Sequence, residues 1–140
     1  MKTIKLKNFE IANNKPFVLM AGPCQIKNID HCLMLAEKIK KITEKLKINF
    51  IFKASFDKAN RTSITSKRGV SLEEGLKTFE QVKKQIDVPV MTDIHLIDQA
   101  KPVAEVVDIL QIPAFLCRQS DLLEAAAKQN KPIHLKKRQQ

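Results

Sequence analysis

The sequence contains few glycines and neither tryptophan nor tyrosine. Its three glycines form no phosphate-binding loop after the first apolar segment, which argues against a Rossmann-type dinucleotide site. No apolar run approaches the roughly 18 residues that a transmembrane helix needs, so we expect no membrane partner. The start of the chain, MKTIKLKNFEIANNKPF, lacks an apolar core and a small-residue cleavage site. We therefore expect no secretory signal.

Cysteines and acidic residues are also scarce. The three cysteines, Cys24, Cys32 and Cys117, are an odd number at unrelated spacings, which favours reduced thiols and a cytoplasmic location. The 15 acidic residues are outnumbered by 25 basic ones, for a net charge of +10. Such a charge is compatible with nucleic-acid binding, but stacking motifs and zinc-finger spacings are missing. We expect no nucleic-acid partner, and salt-dependent binding to DNA or RNA would contradict that expectation.

Apolar strands alternate with amphipathic helices along the chain. A hairpin is predicted within residues 1–14, and Ile29, Leu33, Ala36, Ile39, Ile42 and Leu46 recur at helical spacing. Ser71 and Glu74 form a capping box for a second helix, Pro102 should break or restart a short helix over 98–107, and Ser120 should cap another. The predicted strands are Phe17–Ala21, Ile48–Ser55, Val88–Asp93, Ile109–Pro113 and Pro132–Lys136.

These strands are apolar on both faces, which is typical of a parallel sheet covered by helices. The fold class is therefore α/β, and two architectures fit: an open doubly wound sheet and a (β/α)8 barrel. The polar residues that could do chemistry follow the strands, as in barrel enzymes. They are Cys24, the Lys53–Arg61 segment, Asp93, His95 and Arg118. Only four βα units and a fifth strand are present, whereas a barrel usually needs about 250 residues.

The densest polar segment is Phe52–Ser63, FKASFDKANRTS, directly after an apolar strand. It combines two lysines and an arginine with an asparagine and hydroxyl groups. A strand that ends in such cations and donors suits a phosphorylated substrate. A solvated basic loop is the plain alternative.

Five motifs, taken in order, carry a resemblance to a known family. They are AGPC (21–24), FKASFDKANR (52–61), LEEGL (72–76), PVMTDIH (89–95) and QIPAFLCRQSDLL (111–123). Together they resemble the 3-deoxy-D-manno-octulosonate 8-phosphate synthases of the class I DAHP-synthetase-like family. That family condenses phosphoenolpyruvate with arabinose 5-phosphate in the cytoplasm, on the route to the Kdo sugar of lipopolysaccharide.

The resemblance implies a TIM barrel of about twice this length, usually in a homo-oligomer. Residues 1–140 then form a single truncated aldolase-type barrel domain with the first four βα units and strand five. The family continues Lys-Lys-Gly-Gln-Phe where this chain has Arg138 and then ends, which suggests a truncation or frameshift. An open half-barrel should expose apolar inner faces.

The same resemblance assigns substrate-binding residues. It implies that Lys53 and Lys58 bind phosphoenolpyruvate, and that Lys136 on strand five also does so. It implies that the segment Asn60, Arg61 and Thr62 holds arabinose 5-phosphate, with Thr62 standing where the family usually has serine. Arg118 matches an arginine that reaches the sugar phosphate of a neighbouring subunit.

Cys24 matches a metal ligand of the metal-dependent branch, so a divalent metal is implied for the longer family member. The other ligands of that metal come from strands absent here, and Lys27 and Asn28 replace the family's Glu-Ser. One thiolate cannot hold a divalent ion, so we expect none to bind well to this chain. Two hypotheses follow: a transferase of this family, or a catalytically inactive relative that keeps part of the phosphate-binding site.

Overall fold

A computed structural model describes residues 2–58 and 69–137 of the chain. A two-stranded antiparallel hairpin comes first, with its turn closed by a hydrogen bond from Leu6 N to Phe9 O. Strands and helices then alternate. The strands are β1 (Ile4–Lys5), β2 (Glu10–Ile11), β3 (Val18–Ala21), β4 (Asn49–Lys53), β5 (Val90–Asp93), β6 (Ile109–Ile112) and β7 (Ile133–Leu135). The α-helices are α1 (Ile29–Leu46), α2 (Leu72–Ile86), α3 (Ala100–Ala104) and α4 (Ser120–Ala127). Two 3-10 turns lie at Ile97–Gln99 and Ala114–Leu116.

The five strands after the hairpin form one curled parallel sheet in the order β3-β4-β5-β6-β7. Each strand pairs with the next one in the chain, and a helical segment covers each crossover. This is the topology of a partial (β/α)8 barrel, and it confirms the predicted parallel sheet and N-terminal hairpin. β4 ends at Lys53, two residues before the predicted boundary, and Ser55 makes only an isolated bridge with Gln25.

The two faces of the sheet bury different residues because side chains alternate along a strand. The outer face packs on the helices through a core that includes Phe50, Phe52, Val90, Leu110 and Ile112. This core also holds Phe79 and Val82 of α2, which explains the apolar spacing of that helix.

The inner face has a second, smaller core of Ile51, Met91 and Ile109, which are at most 3% exposed. Leu6, Phe9 and Ile11 of the hairpin pack against it, together with Val18 and Met20 of β3. The expectation of an exposed apolar inner face is therefore wrong for these three central residues. The hairpin covers them, a contact between segments about 40 residues or more apart that no local pattern reveals.

Two of the four α-helices in the described ranges, α1 and α2, begin with a side-chain cap. The side chain of Asn28 accepts from His31 N at 2.8 Å, and Ser71 Oγ accepts from Glu74 N at 3.2 Å, as predicted for Ser71. Ser120 is not a cap. Gln119 takes the cap position because its carbonyl accepts the first helical bond, from Leu123 N at 3.1 Å.

Pro102 lies in the first turn of α3, where its missing N–H costs no intrahelical bond. The chain enters that helix through the 3-10 turn Ile97–Gln99, and α3 then continues through Pro102 to Ala104, so the predicted break or restart at Pro102 is wrong. Across the described ranges, no helix is long and apolar enough to cross a membrane.

Candidate functional site

A layer of polar side chains lies on the inner face, above the apolar cluster of Ile51, Met91 and Ile109. Side chains two residues apart in a strand lie on the same face, so three polar residues follow the apolar cluster on the inner face. Lys53 follows Ile51, Asp93 follows Met91, and Gln111 follows Ile109, each by two residues. Their register makes them neighbours, because Asp93 pairs with Gln111 and Gln111 pairs with His134. All of them stand at the carboxyl ends of the strands, the end where barrel enzymes build their sites.

Lys53 is half-buried in this layer, at the last position of β4. Burial lowers its pKa below the usual lysine value, and the nearby ammonium groups of Lys136 and Lys58 lower it further. Asp93 and Cys24 act in the opposite direction. Lys53, Lys58 and Lys136 thus bring like charges together here. An anionic ligand would relieve this repulsion.

Gly22 makes room for the backbone of Lys53. A Cβ at residue 22 would overlap the carbonyl oxygen of Lys53, which is a backbone atom that cannot turn aside. Gly22 directly follows β3, and β3 pairs with β4 residue for residue up to Ala21 and Phe52. The glycine therefore lets the end of β3 approach the strand that carries Lys53.

His134 and Gln111 extend the layer toward β7. The imidazole Nδ1 of His134 lies 3.0 Å from Oε1 of Gln111, and Gln111 is 3% exposed. Burial lowers the pKa of His134, and the charges of Lys136 and Lys53 lower it further. His134 is thus held neutral beside the lysines and adds hydrogen-bonding capacity without adding charge.

Asp93, a member of this layer, forms a buried pair with His95. Their closest atoms, Asp93 Oδ2 and His95 Nε2, are 3.7 Å apart, and both side chains are less than one-tenth exposed. The His95 ring lies between Phe56 and Phe115, with ring centroids 6.5 Å and 6.2 Å away. It therefore contacts both the segment after β4 and the turn after β6.

Several polar atoms near this pair are buried and lack a hydrogen-bond partner among the described residues. They include Oδ1 of Asp93, Nδ1 of His95 and Oγ of Ser55. Buried polar atoms without partners are costly, and each requires an explanation such as a bound molecule. A buried water or another polar group at this end of the sheet would satisfy them.

The segment after β4 carries Lys58, which is half-buried. Its preceding residues are tied to Gly69 and Val70 by a bridge at Asp57 and by a hydrogen bond from Val70 N to Phe56 O. Asn60, Arg61 and Thr62, the predicted pentose-phosphate residues, lie outside the described residues.

Arg118 and Lys136 lie on the neighbouring part of the same end. Arg118 is exposed, on the stretch between the 3-10 turn Ala114–Leu116 and α4. Lys136 continues the sheet beyond β7, because its N–H donates to Ile112 O at 3.2 Å. Its side chain is exposed, and its charge acts on both Lys53 and His134. The charges of Lys58 and Lys136 therefore both act on Lys53, at the same end of the sheet.

Cys24 is exposed and lines a separate cavity of about 360 Å³ with Gln25, Lys27 and His31. Within residues 2–58 and 69–137, no three His, Cys, Asp or Glu side chains come together as a metal site would need. The donors around Cys24 include a lysine, which is a poor neighbour for a cation. These residues do not fit a divalent metal, and we derive no step through one.

A cavity of about 410 Å³ lies at the opposite end of the sheet, and its lining combines three lysines, Lys7, Lys83 and Lys84, with four acidic residues. Two of these lysines pair with carboxylates: Lys83 Nζ is 3.4 Å from Asp108 Oδ1, and Lys7 Nζ is 3.5 Å from Asp87 Oδ1. These contacts fasten the hairpin and α2 to the sheet. Because acidic side chains outnumber lysines in this lining, the cavity does not suit an anionic ligand.

Sequence reasoning missed Gln111 and His134 as site residues. The signal was present in the period-two alternation of a strand. His134 stands two residues before Lys136 and so faces the same side, and Gln111 stands two residues after the inner-face residue Ile109.

Comparison with known proteins gives consistent matches over nearly the whole chain. The model of the DAHP synthetase I family matches residues 2–140. The 2-dehydro-3-deoxyphosphooctonate aldolases of Rickettsia felis and Rickettsia prowazekii are each 56% identical over 138 residues, and that of Rickettsia bellii is 52% identical. The matches cover 99% of this chain but 50% of each relative, so the chain spans about half their length.

Proposed function

Because the chain belongs to the DAHP synthetase I family, we propose that it supplies the phosphoenolpyruvate side of a 3-deoxy-D-manno-octulosonate 8-phosphate synthase site. The reaction would join phosphoenolpyruvate to D-arabinose 5-phosphate and release phosphate. The observation that carries this proposal is the meeting of Lys53, Lys58 and Lys136 at the carboxyl end of the sheet. The relatives' name supports the same activity.

The chemistry explains why cations are needed at this position. In the condensation, C3 of phosphoenolpyruvate attacks the aldehyde carbon of the open-chain sugar, water adds at C2, and phosphate leaves by C–O cleavage. Both substrates are anions that repel each other. Lys53 and Lys136 would bind the carboxylate and phosphate of phosphoenolpyruvate, and Lys58 would add a third charge-assisted hydrogen bond.

The remaining polar layer would hold the substrate in one orientation. Neutral His134 donates from Nδ1 to Oε1 of Gln111, so its Nε2 can accept a hydrogen bond. Asn60, Arg61 and Thr62 would bind the pentose phosphate. Arg118 is exposed and suits a role toward a neighbouring subunit in a homo-oligomer. The three free cysteines are compatible with a reducing compartment, and we propose the cytoplasm.

A binding experiment tests the phosphoenolpyruvate half directly. Isothermal titration of the 140-residue chain with phosphoenolpyruvate should show saturable binding, and Lys53→Met should weaken it by roughly tenfold or more, because one charge-assisted contact contributes about 1.5–3 kcal/mol. Lys45→Met in the last turn of α1 is the matched control, since it removes one exposed lysine away from the site. Equal affinity of both variants would contradict the proposed role of Lys53.

A second candidate function is phosphate-ester binding without turnover. The observation that favours it is that the described residues alone bring no metal-ligand group together. An assay of phosphate release with both substrates, with and without added divalent metal, separates the two. Turnover above background supports the synthase, whereas binding without turnover supports the inactive relative.

A further inference from the structure

A carboxylate stands in the middle of the basic site on the inner face. Lys53 ends β4, and Asp93 is two positions beyond the residue of β5 that pairs with Lys53. From Asp93 the register leads to Gln111 on β6 and then to His134 on β7. Lys136 follows His134 by two residues and lies on the same face. A ligand that contacts both lysines therefore lies across β5 and β6, where Asp93 and Gln111 stand.

The carboxylate of Asp93 has one oxygen in contact with a neighbour and one without a donor. Its side chain is 7% exposed, and Oδ2 lies 3.7 Å from Nε2 of His95. The other oxygen, Oδ1, is buried and accepts no hydrogen bond from the residues in the two described ranges. The negative charge of Asp93 acts on Lys53, in opposition to the charges of Lys58 and Lys136. A negative group is thus fixed among the cations.

The position of Asp93 restricts which anions the lysines can hold. An ionised carboxylate only accepts hydrogen bonds, so it repels an anion that lies directly against it and brings no proton. A compact, fully ionised anion such as sulfate presents charge to Asp93 wherever it lies between the lysines. Phosphoenolpyruvate instead carries its charge on a carboxylate and a phosphate, which flank the uncharged carbon C2. Its two charged groups can reach cations on either side while C2 faces Asp93.

We propose that Asp93 is a specificity-determining residue: its carboxylate rejects compact, fully ionised anions and admits a ligand whose two anionic groups flank an uncharged carbon. His95 is the positioning residue that holds this carboxylate in place. Selectivity then comes from repulsion of the wrong ligand as well as from attraction of the right one. This inference rests on the proposed function, because it takes phosphoenolpyruvate to bind between Lys53 and Lys136.

A purely structural role for Asp93 is the alternative. In that case a buried water satisfies Oδ1, and the carboxylate serves only to hold the end of β5. Both roles predict that removal of the charge changes the free energy of unfolding. The ratio of the affinities for two anions separates them, because a structural carboxylate has no reason to act differently on sulfate and on phosphoenolpyruvate.

Isothermal titration of the 140-residue chain with sulfate and with phosphoenolpyruvate measures this ratio. Sulfate is the appropriate probe because it carries two charges and no proton at neutral pH, whereas hydrogen phosphate can donate its proton to a carboxylate. Asp93→Asn keeps the size of the side chain and removes its charge. It should raise the affinity for sulfate relative to that for phosphoenolpyruvate by roughly fivefold or more, because a like charge next to the compact anion is removed.

Two further variants isolate the effect of this one carboxylate. Asp98→Asn is the matched control, because it removes an exposed carboxylate in the 3-10 turn Ile97–Gln99 and changes the net charge equally. It should leave the affinity ratio unchanged. Asp93→Glu retains the charge and should retain most of the rejection of sulfate. Urea denaturation of each variant shows that it is folded under the conditions of the titration.

Three results would overturn the proposal: no gain for sulfate in Asp93→Asn, an equal gain for both anions, or the same shift in Asp98→Asn. If Asp93→Asn does not fold, Asp93→Ser replaces it, and failure of both to fold would assign Asp93 a structural role. A wild-type chain that does not bind phosphoenolpyruvate would contradict the proposed function. The gain for sulfate in Asp93→Asn would then decide the role of Asp93 by itself.

Discussion

His134 Nδ1 and Gln111 Oε1 lie 3.0 Å apart on neighbouring strands, both on the inner face of the sheet. An amide oxygen can only accept, so the imidazole donates from Nδ1 and keeps its other nitrogen available. The contact fixes the orientation of a neutral ring next to Lys53 and Lys136. It links β6 and β7 in the layer where the proposed substrate would bind.

The first prediction concerns the titration of His134. Its pKa is lowered from the ordinary 6.5 by burial and by the charges of Lys136 and Lys53. Lys136→Met should therefore raise the pKa of His134 toward its ordinary value, and NMR titration of the ring proton would measure this. Lys45→Met, a remote exposed lysine, should leave the pKa unchanged.

The same shift determines how stability depends on pH. With the folded pKa below the unfolded value, the unfolded chain binds the proton more tightly. His134 thus contributes stability that is present above about pH 6.5 and is lost as pH falls through the folded pKa. In His134→Gln this loss should be smaller. An unchanged slope of unfolding free energy against pH in that window would argue against the assignment.

Local sequence patterns predict much of the fold. Particular residues show which features these patterns do not predict. Continuous apolar strands predicted the parallel sheet, and position after a strand predicted Lys53 as a site residue. The hairpin cover over Ile51 and the pairing of Gln111 with His134 arise from contacts between distant segments. Ser120 looked like a cap, but the carbonyl of Gln119 already accepts the first helical bond.

The second prediction contrasts two serines at helix starts. Ser71→Ala removes the hydrogen bond from Glu74 N to Ser71 Oγ and should cost about 1 kcal/mol of unfolding free energy. Ser120→Ala should cost little, since Ser120 lies inside the first turn and Gln119 holds the cap position. Urea denaturation of both variants measures the difference. Equal losses would contradict the boundary at Gln119.

The third prediction concerns the two glycines that contact the site segment. Gly22→Ala should cost roughly 3 kcal/mol or more, because its Cβ would overlap the backbone oxygen of Lys53. Gly75→Ala should cost less. Its Cβ would lie 2.6 Å from the Cβ of Phe56, a smaller overlap than the contact at Gly22, and alanine recovers up to about 1 kcal/mol of helix propensity. Chemical denaturation should rank the two variants in that order, and the reverse order would argue against the close approach of β3 and β4.

The fourth prediction separates the cysteines by reactivity. Burial raises the pKa of the Cys32 thiol to about 11 from 9.0, whereas Cys24 is exposed. A disulfide reagent at pH 8 should label Cys24 rapidly and Cys32 only after unfolding, because the thiolate is the nucleophile. Cys24→Ser is the control and should remove the fast phase. The folded state holds the proton of the Cys32 thiol more tightly than the unfolded chain does. The stability that this buried thiol contributes is therefore complete below about pH 9 and is lost as the pH rises toward 11. Rapid labelling of Cys32 in the native chain would show that α1 does not pack on the sheet through its Cys32 face.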